Sequence, residues 1–448
     1  MSNSEISPDE QFELHDDARQ LPRLGPGRAA MWLLAKLLRR LVRNGHLTVI
    51  DPRGETWRFG SGGGDGAAVS VRLTDKALPA QLLANPSLAL GEAYMDGTLR
   101  IETGSLRDLL SICMADLDTV DALPGKRIRQ GLDAFLSRRL HHNPINRARC
   151  NVAHHYDLST ELYDLFLDAD RQYSCAYFAT GNETLDEAQA LKKRHIAAKL
   201  LLQPGLDVLD IGSGWGGLAL ELAQQHQARV TGLSLSREQI AAARASATQS
   251  GLFERVAFEL RDYRQEKGQY DRVVSVGMFE HVGRSGFDDY FSTIQRVLKP
   301  DGVALVHAIG TMAPKGGSDP WIRKYIFPGG YLPSLSETIA AAERSGLWVT
   351  DVEILRLHYA ETLRHWSERF AAERETARRL YDERFCRMWE FYLAVCEMAF
   401  RHGRLMVFQL QLAKRRDTVP LTRNYIADAE ADHHCHIRAL GKQIGRAR

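Results

Sequence analysis

The stretch best suited to binding a ligand is Val208-Leu209-Asp210-Ile211-Gly212-Ser213-Gly214-Trp215-Gly216-Gly217. An apolar run (Leu206, Val208, Leu209, Ile211) ends in a glycine-rich turn, and Leu218, Leu220, Leu222 and Ala223 continue it as a helix. Strand, glycine turn and helix open a doubly wound α/β domain, with the ligand at the carboxyl end of the strand. Glycine serves where the chain turns sharply and its backbone approaches a ligand. The turn does not read G-x-G-x-x-G, and the chain has no G-x-x-x-x-G-K-[ST] loop, so a phosphate cradle is not indicated. An ordinary tight βα turn is the plain alternative. Asp432-His433-His434-Cys435-His436 offers metal-ligand side chains, but in a polar, basic tail it reads as an accidental chelator rather than a zinc site. The six cysteines (Cys113, Cys150, Cys175, Cys386, Cys396, Cys435) contain no C-x-x-C pair, which argues against a disulfide framework and fits a reducing cytosol.

The elements that must carry the glycine turn alternate in type. Further strands are expected at 229–233, 256–260, 272–276 and 303–307, with a helix opening at Ser234-Leu235-Ser236-Arg237-Glu238-Gln239. Such alternation implies a parallel sheet covered on both faces. The fourth strand leads into Gly277-Met278-Phe279-Glu280-His281 and the fifth ends at His307. After 335 the pattern is mostly helical, including the aromatic-rich stretch from Trp389 to Phe408.

Before this domain, residues 1–30 are polar and acidic and read as a flexible start without a signal-peptide core. In 31–43, Leu34, Leu37, Leu38 and Leu41 share one helical face while Lys36, Arg39, Arg40 and Arg43 share the other. Such a helix, with Trp32, either lies in a lipid headgroup layer or packs on its own domain. A hairpin is expected at 47–59, a loop at 61–66, a strand at 69–73, and helices at 78–90 and 106–117 around Gly91 to Gly97. Residues 31–120 thus form a small α+β domain, and 121–150 a basic linker bearing Lys126, Arg127, Arg129, Arg138, Arg139, Arg147 and Arg149. Its cations suit anionic lipid headgroups. A net charge of +2 over 448 residues and the lack of a recognisable motif speak against nucleic acid. No apolar run approaches the ~20 residues of a membrane span.

An ordered set of motifs resembles the cyclopropane-fatty-acyl-phospholipid synthases and the mycolic acid cyclopropane synthases. It runs through His155-Tyr156-Asp157-Leu158-Ser159, Gln172-Tyr173-Ser174-Cys175-Ala176-Tyr177-Phe178, Leu209 to Gly217, Val274 to Gly283, Val306 to Gly310, Trp321 to Gly330, and His358-Tyr359 ahead of Trp366-Ser367-Glu368-Arg369-Phe370. The likeness is strong over 150–425 and weaker before it. Ser213 departs from the Cys usual in relatives. The resemblance implies a class I S-adenosylmethionine (SAM) methyltransferase sheet with a small N-terminal α+β domain and helical additions. It implies a catalytic domain over 151–430, a basic tail over 431–448, a homodimer, and a cytoplasmic enzyme held peripherally on the inner face of a phospholipid bilayer.

By the same resemblance, Tyr173 and Ser174 contact the amino-acid tail of SAM. Leu209, Asp210, Gly212, Gly214 and Gly216 surround its methionine and ribose. Ser234, Leu235 and Gln239 reach the ribose, and Asp262 with Tyr263 the adenine. The second strand ends in Leu233-Ser234 rather than an acid, so Gln239 must replace the usual acidic ribose partner; an Asx turn is the alternative for Asp262. The implied acceptor is the cis alkene of an unsaturated acyl chain, which gains a methylene and closes to a cyclopropane through a carbocation. Bicarbonate is the implied base, caged by Cys175, Glu280, His307, Ile309 and Tyr359. Taken singly, Cys175 reads as a small hydrophobe, Glu280 as a helix-start carboxylate, His307 as a core histidine and Tyr359 as a packing residue. A methyl- or methylene-branch product and, further off, small-molecule N-methylation are the competing reactions; a lipid-surface module without catalysis is the non-enzymatic reading.

Overall fold

The computed structural model describes residues 26–60, 67–115, 158–313 and 319–431. The expected linker at 121–150, the loop at 61–66, His155-Tyr156-Asp157 and the string 432–436 lie outside the described residues.

The first part contains α1 (Pro26–Leu41), β1 (His46–Ile50), β2 (Thr56–Phe59), β3 (Ala68–Leu73), α2 (Leu78–Ala84), α3 (Pro86–Met95), β4 (Leu99–Thr103) and α4 (Leu106–Met114). Its four strands pair in the order β2-β1-β3-β4. The expected hairpin forms, with Leu47 opposite Phe59. The single helix expected at 78–90 is two. Pro86 disfavours helical backbone in the residue before it, and Asn85 takes φ −148°, ψ 79° there. Residues from Gly91 to Met95, read as a connection, belong to α3, and β4 is a further strand. The apolar face of α1 packs on its own sheet: Met31, Leu34 and Ala35 are buried with Leu47, Val49, Val69 and Val71. Trp32 and Leu33 stay outside, 37% and 49% exposed, with the Lys36 ammonium 5.4 Å over the Trp32 ring.

The second part runs α5 (Thr160–Asp164), α6 (Leu185–Lys199), β5 (Asp207–Ile211), α7 (Gly217–His226), β6 (Arg229–Ser234), α8 (Arg237–Gln249), β7 (Val256–Leu260), β8 (Tyr270–Val276), α9 (Phe287–Val297), β9 (Leu298–Thr311), α10 (Pro320–Tyr325), α11 (Leu335–Arg344), β10 (Trp348–Ile354), α12 (His358–Ala372), α13 (Arg374–Leu380), α14 (Glu383–Arg401) and β11 (Leu405–Ala413). Seven strands pair in the order β10-β11-β9-β8-β5-β6-β7. β5 to β9 are mutually parallel, as the alternation predicts, and β11 runs antiparallel between β9 and β10. After 335 helices predominate, as expected, but the stretch read as helical up to Phe408 is corrected. α14 stops at Arg401, and Phe408 lies in β11 opposite Ala308.

Successive residues of the central strands serve opposite faces. Val208, Val274 and Leu305 meet α6, α7 and α8 through Ile196, Leu222 and Ile240. Leu209, Val273 and Val306 meet Phe291 and Ile294 of α9. A third cluster, rich in aromatic rings, gathers Tyr163, Trp366, Trp389 and Phe400 from α5, α12 and α14. The two sheets are joined on its flank. Gly91 of α3 lies so close to Trp321 and Phe391 that a Cβ there would stand 2.4 Å from the indole. Lys324 and Tyr325 reach Glu92, and Arg107 reaches the buried Glu397.

Candidate active site

β5 delivers Asp210 to its carboxyl end, and the chain reverses through Gly212 (φ 88°) and Gly214 (φ 55°), a backbone region open to glycine at little cost. Gly214 has nothing within 4 Å of where a Cβ would stand, so the turn presents bare backbone to an open cleft. The cleft gathers most of the residues expected around SAM. Tyr173 and Ser174 enter from the loop before α6; Asp210, Gly212 and Gly214 from the turn; Ser234, Leu235 and Gln239 from the β6–α8 junction; Asp262 and Tyr263 from the end of β7. Leu209 and Gly216 do not reach it. Leu209 is buried in the sheet, and Gly216 backs onto Phe258 and Ala243.

The polar groups of the cleft are set up unevenly. Ser234 Oγ donates to Gln239 Oε1 at 3.0 Å, leaving the Gln239 amide hydrogens for a ligand. The Asx turn considered for Asp262 is present: its Oδ1 accepts from Arg264 N at 3.0 Å, and the Arg264 guanidinium holds both oxygens. It lines the cleft as well. Asp210 Oδ2 and Ser213 Oγ are buried with no hydrogen-bond partner among the described residues. Burial pushes the Asp210 carboxyl up to about 7, against the opposing pull of Lys192. An unpartnered acid beside an open glycine turn fits a ligand carrying an ammonium group and needing close backbone contact, as SAM does.

None of the five residues expected around bicarbonate is among those lining that cleft. Glu280, in the turn after β8, accepts from Ile309 N of β9 at 2.5 Å through Oε1. Its Oε2 is buried and has no partner among the described residues. Burial raises its carboxyl to about 7, although the Ile309 bond pulls it down. His307 lies two residues before Ile309, so it shares that face of β9. Gln409 Nε2 of β11 donates to its Nδ1 at 3.2 Å, which puts the ring proton on Nε2. Burial, with Lys192, Lys199 and His195 nearby, holds His307 neutral. Cys175, Tyr359 and Ile309 meet in the aromatic cluster. The loop holding Cys175 is fastened to α12 by Ala176 N donating to Thr362 Oγ1 at 3.0 Å and Phe178 N donating to His358 Nδ1 at 3.0 Å. Burial pushes the Cys175 thiol up, so it is a protonated hydrophobe rather than a nucleophile. Tyr359 packs against Trp366 and Phe400 at 5.8 and 5.0 Å. The Glu280–Ile309 contact is direct; Cys175, Tyr359 and Ile309 belong to one cluster, and His307 shares the strand of Ile309.

Sequence reasoning missed Gln172, Met278 and His281, which also line the cleft, and Tyr392, whose hydroxyl lies 2.8 Å from that of Tyr173. Neighbouring motif residues signalled the first three; nothing local signalled Tyr392. Among the described residues no group of three or more His, Cys, Asp or Glu could hold a metal, and no helix is long and apolar enough to cross a membrane.

Comparison with known proteins agrees with this geometry. The family described as mycolic acid cyclopropane synthetase matches residues 144–410, and a domain of unknown function matches 33–120. A probable fatty acid methyltransferase of Pseudomonas putida is 36% identical over 359 residues, spanning 78% of this chain and 88% of that protein. The cyclopropane-fatty-acyl-phospholipid synthase of Escherichia coli K12 is 37% identical over 360 residues, with the same shares of 78% and 88%. The crystal structure of the mycolic acid cyclopropane synthase CmaA1, complexed with SAH and CTAB, superposes with a TM-score of 0.57 at 35% identity, covering 60% of this chain and 99% of that one. The strand order, the cleft at the β5 turn and these matches agree: the chain belongs to the mycolic acid cyclopropane synthetase family and is a SAM-dependent methyltransferase.

Proposed function

We propose that the chain adds a methylene from SAM across the cis double bond of an unsaturated phospholipid acyl chain, giving a cyclopropane. The observation that carries this reading is Glu280: clamped to Ile309 N by one oxygen, it keeps a buried, unpartnered second oxygen beside an aromatic cluster. SAM supplies an electrophilic methyl group. The residues named around the cleft would hold it, with Asp210 toward the ammonium and the Gln239 amide toward the ribose. An alkene is a weak nucleophile, and it becomes a carbocation on gaining the methyl. The ring then closes once a proton leaves. Tyr359, Trp366 and Phe400 offer π-faces that steady positive charge without attacking it. The closed thiol of Cys175 offers no competing nucleophile.

A small oxyanion such as bicarbonate fits beside Glu280. Two adjacent anions in a buried site repel, but a carboxyl raised to about 7 retains its proton over much of the neutral range and then donates to the anion. Neutral His307 and the Tyr359 hydroxyl would orient it and pass a proton outward. The surface reading extends this proposal. Trp32 and Leu33 beside Lys36 on α1 would meet the headgroup layer on the inner face of a membrane, and the protein would act as a cytoplasmic homodimer.

The test is purified protein with SAM and vesicles of a defined monounsaturated phospholipid, analysed by mass spectrometry and by gas chromatography of the methyl esters. A gain of one methylene eluting as a cyclopropane is expected; no mass gain ends the reading. The Pseudomonas putida relative's name favours a second reading, a methyl branch, in which the same mass elutes as a branched chain. Flotation with vesicles tests the surface, and sedimentation tests the dimer.

A further inference from the structure

Lys192 of α6 is fully buried, yet no role described so far uses its charge. Its ammonium lies one layer behind the cleft wall. Nζ donates to Gln172 Oε1 at 2.6 Å and to Ser174 Oγ at 2.9 Å. The position is rigid. A capping box of Thr184 and Glu187 fixes the start of α6, and Gln189 Nε2 donates to the backbone oxygens of Gln172 and Ser174 at 3.1 and 2.9 Å. Burial lowers Lys192 to about 8, with Asp168 opposing, so the group is mostly charged at neutral pH.

The polarity of these bonds has a consequence. An ammonium can only donate. Ser174 Oγ is therefore the acceptor, and its single proton is directed elsewhere. Ser174 lines the cleft, so that proton can serve a ligand there. Likewise Gln172 has its amide oxygen occupied by Lys192. One side of the cleft thus offers a donor backed by a buried positive charge. The same cleft offers Asp210, whose Oδ2 is buried without a partner among the described residues. A donor backed by a cation and an unpartnered acid in one cleft suit the two ends of an amino-acid zwitterion.

We propose that Lys192 is a positioning residue for the carboxylate of the cofactor's amino-acid tail, fixing the Ser174 hydroxyl as a donor toward it and supplying the countercharge from behind. This rests on the cleft being the SAM site.

The experiment compares two ligands by calorimetry on the full chain. S-adenosylhomocysteine carries the amino-acid tail; methylthioadenosine keeps the nucleoside and thioether but lacks it. Lys192→Met is expected to weaken S-adenosylhomocysteine by about tenfold or more, the loss of a hydrogen bond to a charged group, while methylthioadenosine changes by less than about twofold. Ser174→Ala is expected to show the same split, and the double variant to lose less than the sum of the two. Equal weakening of both ligands, or of neither, overturns the proposal, because a merely structural lysine does not distinguish them. Should Lys192→Met fail to fold, Ser174→Ala decides alone, and unchanged S-adenosylhomocysteine affinity there overturns it. Wild-type protein that binds neither ligand removes the cofactor reading itself, an outcome distinct from binding without the split.

Discussion

Two clusters of buried ionisable groups flank β9 and β11, and they are built on opposite rules. Around Glu280 and His307 the groups are held uncharged or nearly so. Glu280 stands at about 7 with one oxygen unpartnered, and burial keeps His307 neutral. Around His195 every group is paired. Its Nε2 faces Glu353 and its Nδ1 faces Glu430, each at 2.7 Å, and Lys199 also reaches Glu353. Ionised carboxylates only accept, so both bonds form together when both ring nitrogens donate, and this pairing favours the imidazolium and raises the His195 pKa. Tyr177 stacks on it at 4.3 Å. Burial alone marks neither cluster as functional. What separates them is whether the polar atoms are satisfied, since an orphaned buried oxygen costs free energy that a ligand can recover.

The largest expected effect breaks the unsatisfied cluster. Glu280→Gln keeps the oxygen that accepts from Ile309 N but cannot take or give a proton. Turnover is expected to fall by at least about a hundredfold while S-adenosylhomocysteine affinity stays within about twofold. Equal loss of both would make Glu280 an architectural residue like the members of the His195 cluster. The same variant is expected to be more stable than wild type at alkaline pH. The folded carboxyl titrates at about 7 against an ordinary 4.5. The difference is therefore absent below the ordinary value, grows as pH rises between the two, and approaches roughly 3 kcal/mol at pH ~8. Chemical denaturation of both proteins at pH ~4 and pH ~8 measures it; no divergence would mean that Glu280 is hydrated or paired.

How much of this was legible in the sequence depended on distance along the chain. The β5 turn announced itself because strand, glycines and helix are contiguous, and the five parallel strands followed from local alternation. β10 and β11 did not, because Leu405-Met406-Val407-Phe408 continues an aromatic-rich helix and only pairing with β9 makes it a strand. The cofactor wall was largely legible through motif residues such as Ser174 and Gln239. Lys192 and His195 were not. No motif or spacing marks them in a helix that also carries Lys193, Arg194 and Lys199, yet Lys192, Lys193, His195 and Lys199 are all buried. The unpartnered oxygen of Glu280 was equally invisible, because it is a property of packing rather than of residue type.

A smaller effect is expected from the satisfied cluster. His195→Gln removes the cation between two carboxylates. Breaking a fully buried pair costs about 3–5 kcal/mol. Here Glu353 and Glu430 are 23% and 33% exposed, and Lys199 still serves Glu353, so about 2 kcal/mol is expected with no change in cofactor affinity. Burial opposes the charge on His195, but the bonds to Glu353 and Glu430 outweigh it and hold its pKa above the ordinary 6.5. Its contribution is therefore complete below the ordinary value and is lost as pH rises through the raised one. Denaturation midpoints across that range should show wild type approaching His195→Gln from above. A variant that loses cofactor affinity as well would blur the distinction between the two clusters.

The smallest expected effect tests that distinction most narrowly. Glu430 lies in the helical segment 424–431 and is partly exposed, so its bond to His195 is screened by water and salt. Glu430→Gln should cost less than about 1 kcal/mol at low salt and neutral pH. The cost should shrink with added salt, and also with rising pH. A neutral imidazole has one N–H to give, and Glu353, which Lys199 also holds, is the better-anchored acceptor. Thermal midpoints of Glu430→Gln and wild type should thus converge on the alkaline side. A gap that persists unchanged there would mean that His195 does not titrate in the folded protein, and the rule separating its cluster from that of Glu280 would have to rest on something other than charge pairing.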